Sequence, residues 1–137
     1  MRPVAVTGGA GFIGSAVVHA LVARGQPVLT LDALTYAAHP ATVDELVALP
    51  GHILERVDLV DTARLTDLLL RHRPTAVLHL AAETHVDRSI DGPLAFTRTN
   101  VQGTASLLEA TRTLRRTHPD PAFRLVHVST DEVFGSL

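Results

Sequence analysis

The stretch Thr7-Gly8-Gly9-Ala10-Gly11-Phe12-Ile13-Gly14 follows a short apolar run, Pro3 to Val6, and precedes a helical pattern. Strand, glycine turn and helix in that order make a cradle for a pyrophosphate. Gly8, Gly11 and Gly14 let the backbone turn sharply and let phosphate oxygens approach the main chain. The helix that follows presents unpaired N–H groups and the positive end of its dipole. Eighteen residues after Gly14, at the end of a second apolar run (Val28-Leu29-Thr30-Leu31), stands Asp32. A carboxylate there accepts both hydroxyls of an adenosine ribose and repels a 2′-phosphate. The bland alternative for Asp32 is a turn former or helix N-cap. The pair predicts dinucleotide binding, and NAD rather than NADP.

Outward from that turn, apolar runs of strand length alternate with longer helical patterns. Strands are expected at Val4–Thr7, Pro27–Leu31, Ile53–Val57, Ala76–Leu80 and Arg124–Ser129, and helices at Phe12–Arg24, Thr42–Ala48, Ala63–Arg71 and Leu94–Arg116. Several strands are continuous runs of Val, Leu and Ala, as when both faces of a sheet are covered. Strand and helix in alternation with short links mean parallel crossover units. The expected fold is therefore α/β, a Rossmann-type doubly wound parallel sheet over residues 1–137, truncated after the fifth strand. A second half with a sixth strand would normally follow, so the chain reads as cut where its active site begins. The loop Asp32–Pro40 is long for a βα link, and such loops usually carry function.

Composition narrows the classes. A chain of 137 residues with 46% hydrophobic and 19% charged residues is one well-packed domain, and its net charge of -2 gives no attraction to nucleic acid or an anionic membrane. No apolar run approaches the ~20 residues of a membrane span, and no signal peptide precedes the first strand, so a cytoplasmic protein is expected. With no cysteine, neither disulfides nor thiolate chemistry is available. All twelve basic residues are arginine, and Tyr36 is the only tyrosine. Arg112, Arg115 and Arg116 read as compensation of a helix C-terminus. The eight histidines show no pair at i, i+4 on a helix beside a carboxylate, so no metal site is expected. His79 and His127 lie within strands and read as satisfied core residues.

Further candidates stand at strand ends. Asp58 follows the third strand, where a carboxylate accepts from an adenine amino group while Leu59 packs on the ring. Its alternative is a loop residue, as Asp61 is read to be an N-cap. Leu80, Ala81 and Ala82 end the fourth strand with small side chains, which let a cofactor lie against the backbone or simply let helices pack. Glu83 to Ser89 is too polar for a mere connector. Thr84 is within reach of cofactor or substrate, while Asp87 and Arg88 are read as pairing with each other. Thr130-Asp131-Glu132 is the sharpest constellation, a hydroxyl and two carboxyl groups at a strand end beside the expected nicotinamide. Desolvation or mutual repulsion raises one carboxyl pKa from ~4 toward neutrality, giving an acid and a base in one site. Two acids in a row also suit an exposed turn.

At these residues the sequence resembles the extended short-chain dehydrogenase/reductase family, and closely its dTDP-glucose 4,6-dehydratases. The matching segments are TGGAGFIGS (Thr7–Ser15), LDALTYA (Leu31–Ala37), HLAAETHVDRSIDGP (His79–Pro93), TNVQGT (Thr99–Thr104) and HVSTDEVFG (His127–Gly135). HVDRSI with STDEV is the more specific part, because sugar-nucleotide epimerases of the family usually lack the Asp-Glu pair. In such dehydratases NAD⁺ oxidises the sugar at C4, which acidifies the C5 proton. The resemblance implies that Glu132 removes that proton, Asp131 protonates the departing C6 hydroxyl, and Thr130 donates to the C4 oxygen, with hydride then returned to C6. It also implies cofactor contacts at Phe12, Ile13, Asp32, Ala33, Leu34, Thr35, Asp58, Leu59, Leu80, Ala81, Ala82, Glu83, Thr84 and Thr99, with Thr84 also near the sugar. A nucleotide-sugar substrate and a homodimer through the Leu94–Arg116 helix follow from the same resemblance.

Departures are visible too. Phe134 stands where the family usually has Tyr, and Ala38-His39 replace the usual Gly-Asn after Ala37. The family's Tyr-x-x-x-Lys pair cannot occur in a chain without lysine, so this chain by itself is expected to be inactive. Alternatives are another sugar-nucleotide enzyme of the family, such as a UDP-sugar 4,6-dehydratase or a 4-epimerase, or a non-catalytic NAD-binding module.

Overall fold

The computed structural model describes residues 1–84, 90 and 92–135. The apolar runs lie side by side as strands β1 (Val4–Thr7), β2 (Val28–Asp32), β3 (His52–Arg56), β4 (Ala76–His79) and β5 (Arg124–His127). They form one sheet in the order β3-β2-β1-β4-β5, each neighbouring pair parallel. Parallel neighbours need crossovers. Helices α1 (Phe12–Ala23), α2 (Pro40–Ala48), α3 (Thr62–His72) and a helical run from Pro93 to Thr117 supply them. The chain winds outward from β1 to β3, then returns to the other side of β1 to lay β4 and β5. That reversal beside β1 is the switch point where such sheets open a crevice at their carboxyl ends.

Both sheet faces are covered, which is why the strands read as unbroken apolar runs. Ala5, Leu29, Leu31 and Val77 point to one face, where Leu65, Leu68 and Leu69 of α3 and Leu107, Ala110 and Leu114 of the long run meet them. Val6 and Val28 point to the other, under Val18 of α1 and Leu46 of α2. Leu29, Leu31, Leu65, Leu68 and Leu69 are wholly buried, each stabilising the sheet by roughly 2 kcal/mol relative to exposure. Among the described residues no helix is long and apolar enough to cross a membrane.

Several element bounds differ from expectation. The second helix starts at Pro40, earlier than the expected Thr42, because a proline suits the first helical turn. Asp61 is the N-cap of α3, as expected, its carboxylate accepting from the Arg64 amide at 2.9 Å. The third strand begins at His52, whose ring reaches the Thr30 hydroxyl at 2.8 Å. The fourth ends at His79, because the next two amides, Leu80 and Ala81, turn toward the Thr7 hydroxyl at 3.2 Å each.

The largest difference lies in the long helix. It comprises α4 (Pro93–Phe96), a wide π-helical stretch (Thr97–Gly103) and α5 (Thr104–Thr117). The Thr104 hydroxyl takes the Asn100 carbonyl at 2.7 Å inside that wide stretch, and side-chain competition of this kind loosens the helical ladder. A Cβ on Gly103 would stand 3.0 Å from the Leu59 Cβ, so the same stretch is held close against the loop after β3. Arg115 and Arg116 do lie in the last turn of α5, whereas Arg112 pairs with Glu109 at 2.8 Å.

Candidate functional site

The strand register brings the candidate residues to one edge. Leu31, Thr7, His79 and His127 lie in a row across β2, β1, β4 and β5. The segments that leave just after them therefore share the carboxyl edge: Asp32–Thr35, Gly8–Gly11, Leu80–Thr84 and Val128–Glu132. Asp87 and Arg88 lie outside the described residues.

The glycine turn sits at the centre of that edge. Gly8 has φ +69, and a Cβ there would stand 2.7 Å from the Ala81 Cα. A Cβ on Gly14 would stand 2.0 Å from the Gly8 carbonyl oxygen. The small residues read at Ala81 and Ala82 thus serve backbone approach at Ala81, where the β4 loop lies against Gly8. Gly11 caps α1 without a side chain, which leaves first-turn N–H groups for an outside acceptor. Phe12 and Ile13 are both exposed at that helix start.

Asp32 ties this turn to the next loop. One carboxylate oxygen accepts from the Ala10 amide at 2.9 Å and the other from the Leu34 amide at 2.8 Å. The second bond makes Asp32 a turn former, holding Leu34 in the left-handed region at φ 53. A carboxylate has about four acceptor sites, so capacity for ribose hydroxyls remains. Turn former and ribose acceptor are compatible here.

On the other side of the turn a directed hydrogen-bond chain organises the β4 loop. The Thr104 hydroxyl donates to the Asn100 carbonyl, so toward the His79 Nε2 at 2.9 Å it accepts. That assigns the proton of His79 to Nε2 and makes Nδ1 an acceptor for the Thr7 hydroxyl at 2.7 Å. The Thr7 oxygen in turn receives the Leu80 and Ala81 amides. Burial pushes the His79 pKa down to about 4, with the charge of His127 adding to the fall. His79 is the core residue expected from its place in a strand. His127 is not: it stacks on His79 with ring centroids 4.6 Å apart but is exposed, because β5 is an edge strand.

Asn100 completes the loop's support. Its Oδ1 accepts from the Glu83 amide at 2.8 Å and its Nδ2 donates to the Glu83 carbonyl at 2.9 Å. Thr84, one residue on, is exposed, and Thr99 lies half-buried beside Asn100 in the wide helical stretch. The run TNVQGT contains Asn100, but nothing local indicates which distant main chain an asparagine will clamp.

Asp58 forms a turn with the Val60 amide at 3.2 Å and pairs with Arg98 at 2.9 Å. Nothing in the sequence around Arg98 signals this partner, 40 positions away. Leu59 departs from expectation: its side chain is buried in the core against Gly103, so it is not laid open to an adenine face.

Thr130, Asp131 and Glu132 follow β5 in a short 3-10 turn (Asp131–Phe134), with the Thr130 hydroxyl accepting from the Glu132 amide at 3.4 Å. All three side chains are exposed. The expected desolvation of one carboxyl group is therefore not supplied by the described residues. The structure brings the pair to the edge where the glycine turn lies, as an exposed turn. Among the described residues no three His, Cys, Asp or Glu side chains gather as a metal site.

With this geometry in view, similarity to known proteins is informative. The family described as GDP-mannose 4,6 dehydratase matches residues 5–137. The chain belongs to that family. Within it, the chain is 54% identical over 135 residues to a dTDP-glucose 4,6-dehydratase of Xanthomonas campestris pv. campestris, covering 96% of this chain and 38% of that protein. To the dTDP-glucose 4,6-dehydratase of Neisseria meningitidis serogroup B it is 47% identical, covering 100% of this chain and 40% of that one. This family member thus spans about two-fifths of the length of the curated relatives it matches. A dTDP-glucose 4,6-dehydratase from Streptomyces venezuelae, solved with NAD bound, superposes with a TM-score of 0.83 at 42% identity, over 98% of this chain and 41% of that one. A UDP-glucose-4-epimerase from Stenotrophomonas maltophila with bound NAD also reaches 0.83, at 30% identity, over 100% and 39%. The backbone alone therefore does not separate the two activities.

Proposed function

We propose that this chain is the NAD-binding portion of a dTDP-glucose 4,6-dehydratase. The observation that carries the reading is the row of strand ends that sets Asp32, the glycine turn, the Leu80–Thr84 loop and Thr130–Glu132 along one carboxyl edge. The glycine cradle fits a dinucleotide, since Gly11 caps α1 without a side chain and leaves its first-turn N–H groups to an outside acceptor. Phosphates are held by the first-turn amides of α1, and the adenosine ribose by the remaining acceptor sites of Asp32. Leu34, Thr35, Asp58, Ala81 and Thr99 line the same edge. Bound NAD supplies a hydride acceptor that is also the donor for the return step.

This chain's own residues then handle protons and orientation. Thr130 donates to the C4 oxygen of the hexose, Glu132 takes the C5 proton, and Asp131 gives a proton to the C6 hydroxyl as it leaves. Both carboxylates are exposed here, so their acid–base work needs water excluded by further protein or by substrate. A nucleotide-sugar substrate, a homodimer and a cytoplasmic location belong to the same proposal. The adjacent Asp131 and Glu132, together with 54% identity to a dTDP-glucose 4,6-dehydratase, favour loss of water over inversion at C4.

A chimera tests it. The N-terminal part of the Xanthomonas campestris dehydratase is replaced by this chain, and its action on dTDP-glucose is measured. The expected product is the 4-keto-6-deoxy sugar, lost in Glu132→Gln. A folded, NAD-loaded chimera that gives no such product, or that inverts C4, overturns the reading. The 137-residue chain alone is expected to give no turnover, because it can supply no Tyr-x-x-x-Lys pair.

A further inference from the structure

Tyr36, on the loop after β2, donates its hydroxyl to Glu83 Oε2, on the loop after β4, at 2.7 Å. In the sheet β1 lies between β2 and β4. The bond therefore bridges two strand spacings, about 10 Å, and crosses the strand end that carries the glycine turn. Both of its feet are fixed. On one side Asp32 holds the Leu34 amide, and the Ala38 amide closes a turn around Tyr36 onto the Thr35 carbonyl at 3.0 Å. On the other, Asn100 grips the Glu83 main chain from both directions. The bond itself stands in the open, with Tyr36 49% exposed. A solvent-facing contact of this kind adds little to folding, so its location is what needs explaining.

We propose that Tyr36 and Glu83 form a tie across the mouth of the dinucleotide groove that gates entry and exit of the cofactor. This rests on the reading of that groove as the NAD site. A dinucleotide seated along the carboxyl edge must pass the line between these two loops, which the Tyr36–Glu83 bond spans. A gate has a kinetic signature that a contact residue lacks. Opening precedes both entry and departure, so weakening it speeds both and leaves the equilibrium nearly where it was.

The test uses the 137-residue chain and NADH, whose own fluorescence reports binding in rapid mixing. In Tyr36→Phe, association and dissociation rates are both expected to rise about fivefold, the factor appropriate to one exposed hydrogen bond to a carboxylate. The dissociation constant should stay within about twofold. Glu83→Ala keeps the main chain that Asn100 holds and should raise the association rate similarly, with the double variant no faster than either. Because Tyr36 is the only tyrosine and tryptophan is absent, its emission without cofactor reads the tie directly, and it should change in Glu83→Ala. Unchanged rates, unchanged tyrosine emission, or a faster dissociation matched by an equal loss of affinity overturns the gate while leaving the NAD site standing. Failure of the parent chain to bind NADH or NAD at all overturns both.

Discussion

Asn100 holds Glu83 by both of its main-chain polar groups, accepting from the amide at 2.8 Å and donating to the carbonyl at 2.9 Å. A side chain used this way acts as a surrogate strand for the Leu80–Thr84 loop, which has left the β4 ladder. Asn100→Ala leaves a half-buried amide and carbonyl without their partner. The expected cost is about 1–3 kcal/mol of folding stability, with weaker NAD binding because the loop against Gly8 loses its outer support. Asn100→Asp keeps an acceptor for the Glu83 amide but cannot donate to the carbonyl, so it should fall between. Thermal melts and titration calorimetry with NAD measure both effects.

His79 makes stability depend on pH. Its pKa is lowered to about 4 in the folded protein by burial first and by His127 second, against about 6.5 when unfolded. Between these values the unfolded chain binds a proton that the folded chain does not. Stability is therefore complete above pH ~6.5 and is lost as pH falls toward about 4, by up to about 3 kcal/mol. Protonation would also destroy the Nδ1 acceptor that orients the Thr7 hydroxyl. Denaturant melts from pH 7 down to 4 should show this slope. His79→Gln should flatten it, leaving a smaller slope of the same sign from His52, whose pKa burial also lowers, with the Leu46 backbone opposing and His19 adding.

The contrast between Gly8 or Asp32 and Asn100 or His79 shows what a sequence discloses. The glycine turn, Asp32 and the N-cap Asp61 act on neighbours within a few residues or on a pattern of strand, turn and helix, so local chemistry indicates them. The apolar strands are legible for the same reason: burial on both faces removes the alternation. The clamp of Asn100 on Glu83, the contact of Thr7 with His79 and the pairing of Arg98 with Asp58 join residues 17, 72 and 40 positions apart. No local signal selects such partners, since a threonine or asparagine can satisfy its hydrogen bonds in many ways. Leu59 is buried in the core, but an apolar residue at a strand end suits a ligand face as well as a core, and the sequence does not say which. The wide stretch Thr97–Gly103 hides in an ordinary helical pattern for a related reason: the sequence does not show that the Thr104 hydroxyl, which takes the Asn100 carbonyl, also meets His79, nor that Gly103 is packed against Leu59.

Two glycines separate steric demand from backbone conformation. Gly14→Ala would place a Cβ 2.0 Å from the Gly8 carbonyl, a contact with main chain that cannot yield. It should cost about 3 kcal/mol or more and abolish NAD binding. Gly25, by contrast, has a left-handed φ of +73 and nothing within 4 Å of its notional Cβ. Gly25→Ala should cost only about 1 kcal/mol and leave cofactor affinity unchanged. Melting both variants beside the parent chain, with NAD titrations of those that fold, checks the pair.

Asp32 does two things that one substitution can pull apart. Each oxygen accepts a main-chain N–H, from Ala10 and from Leu34, while its charge faces the place proposed for the adenosine ribose. Asp32→Asn retains one acceptor oxygen and puts an NH2 group where the other stood, so one main-chain amide loses its partner. A stability loss of about 1 kcal/mol is expected from that alone. The second consequence is independent of the first. Without the negative charge a 2′-phosphate is no longer repelled, and the preference for NAD over NADP should narrow by about tenfold or more. Calorimetric titration of both cofactors into both proteins reads the ratio directly. A ratio that stays fixed while stability falls would mean that Asp32 shapes the glycine turn only, and that the carboxylate does not face the ribose.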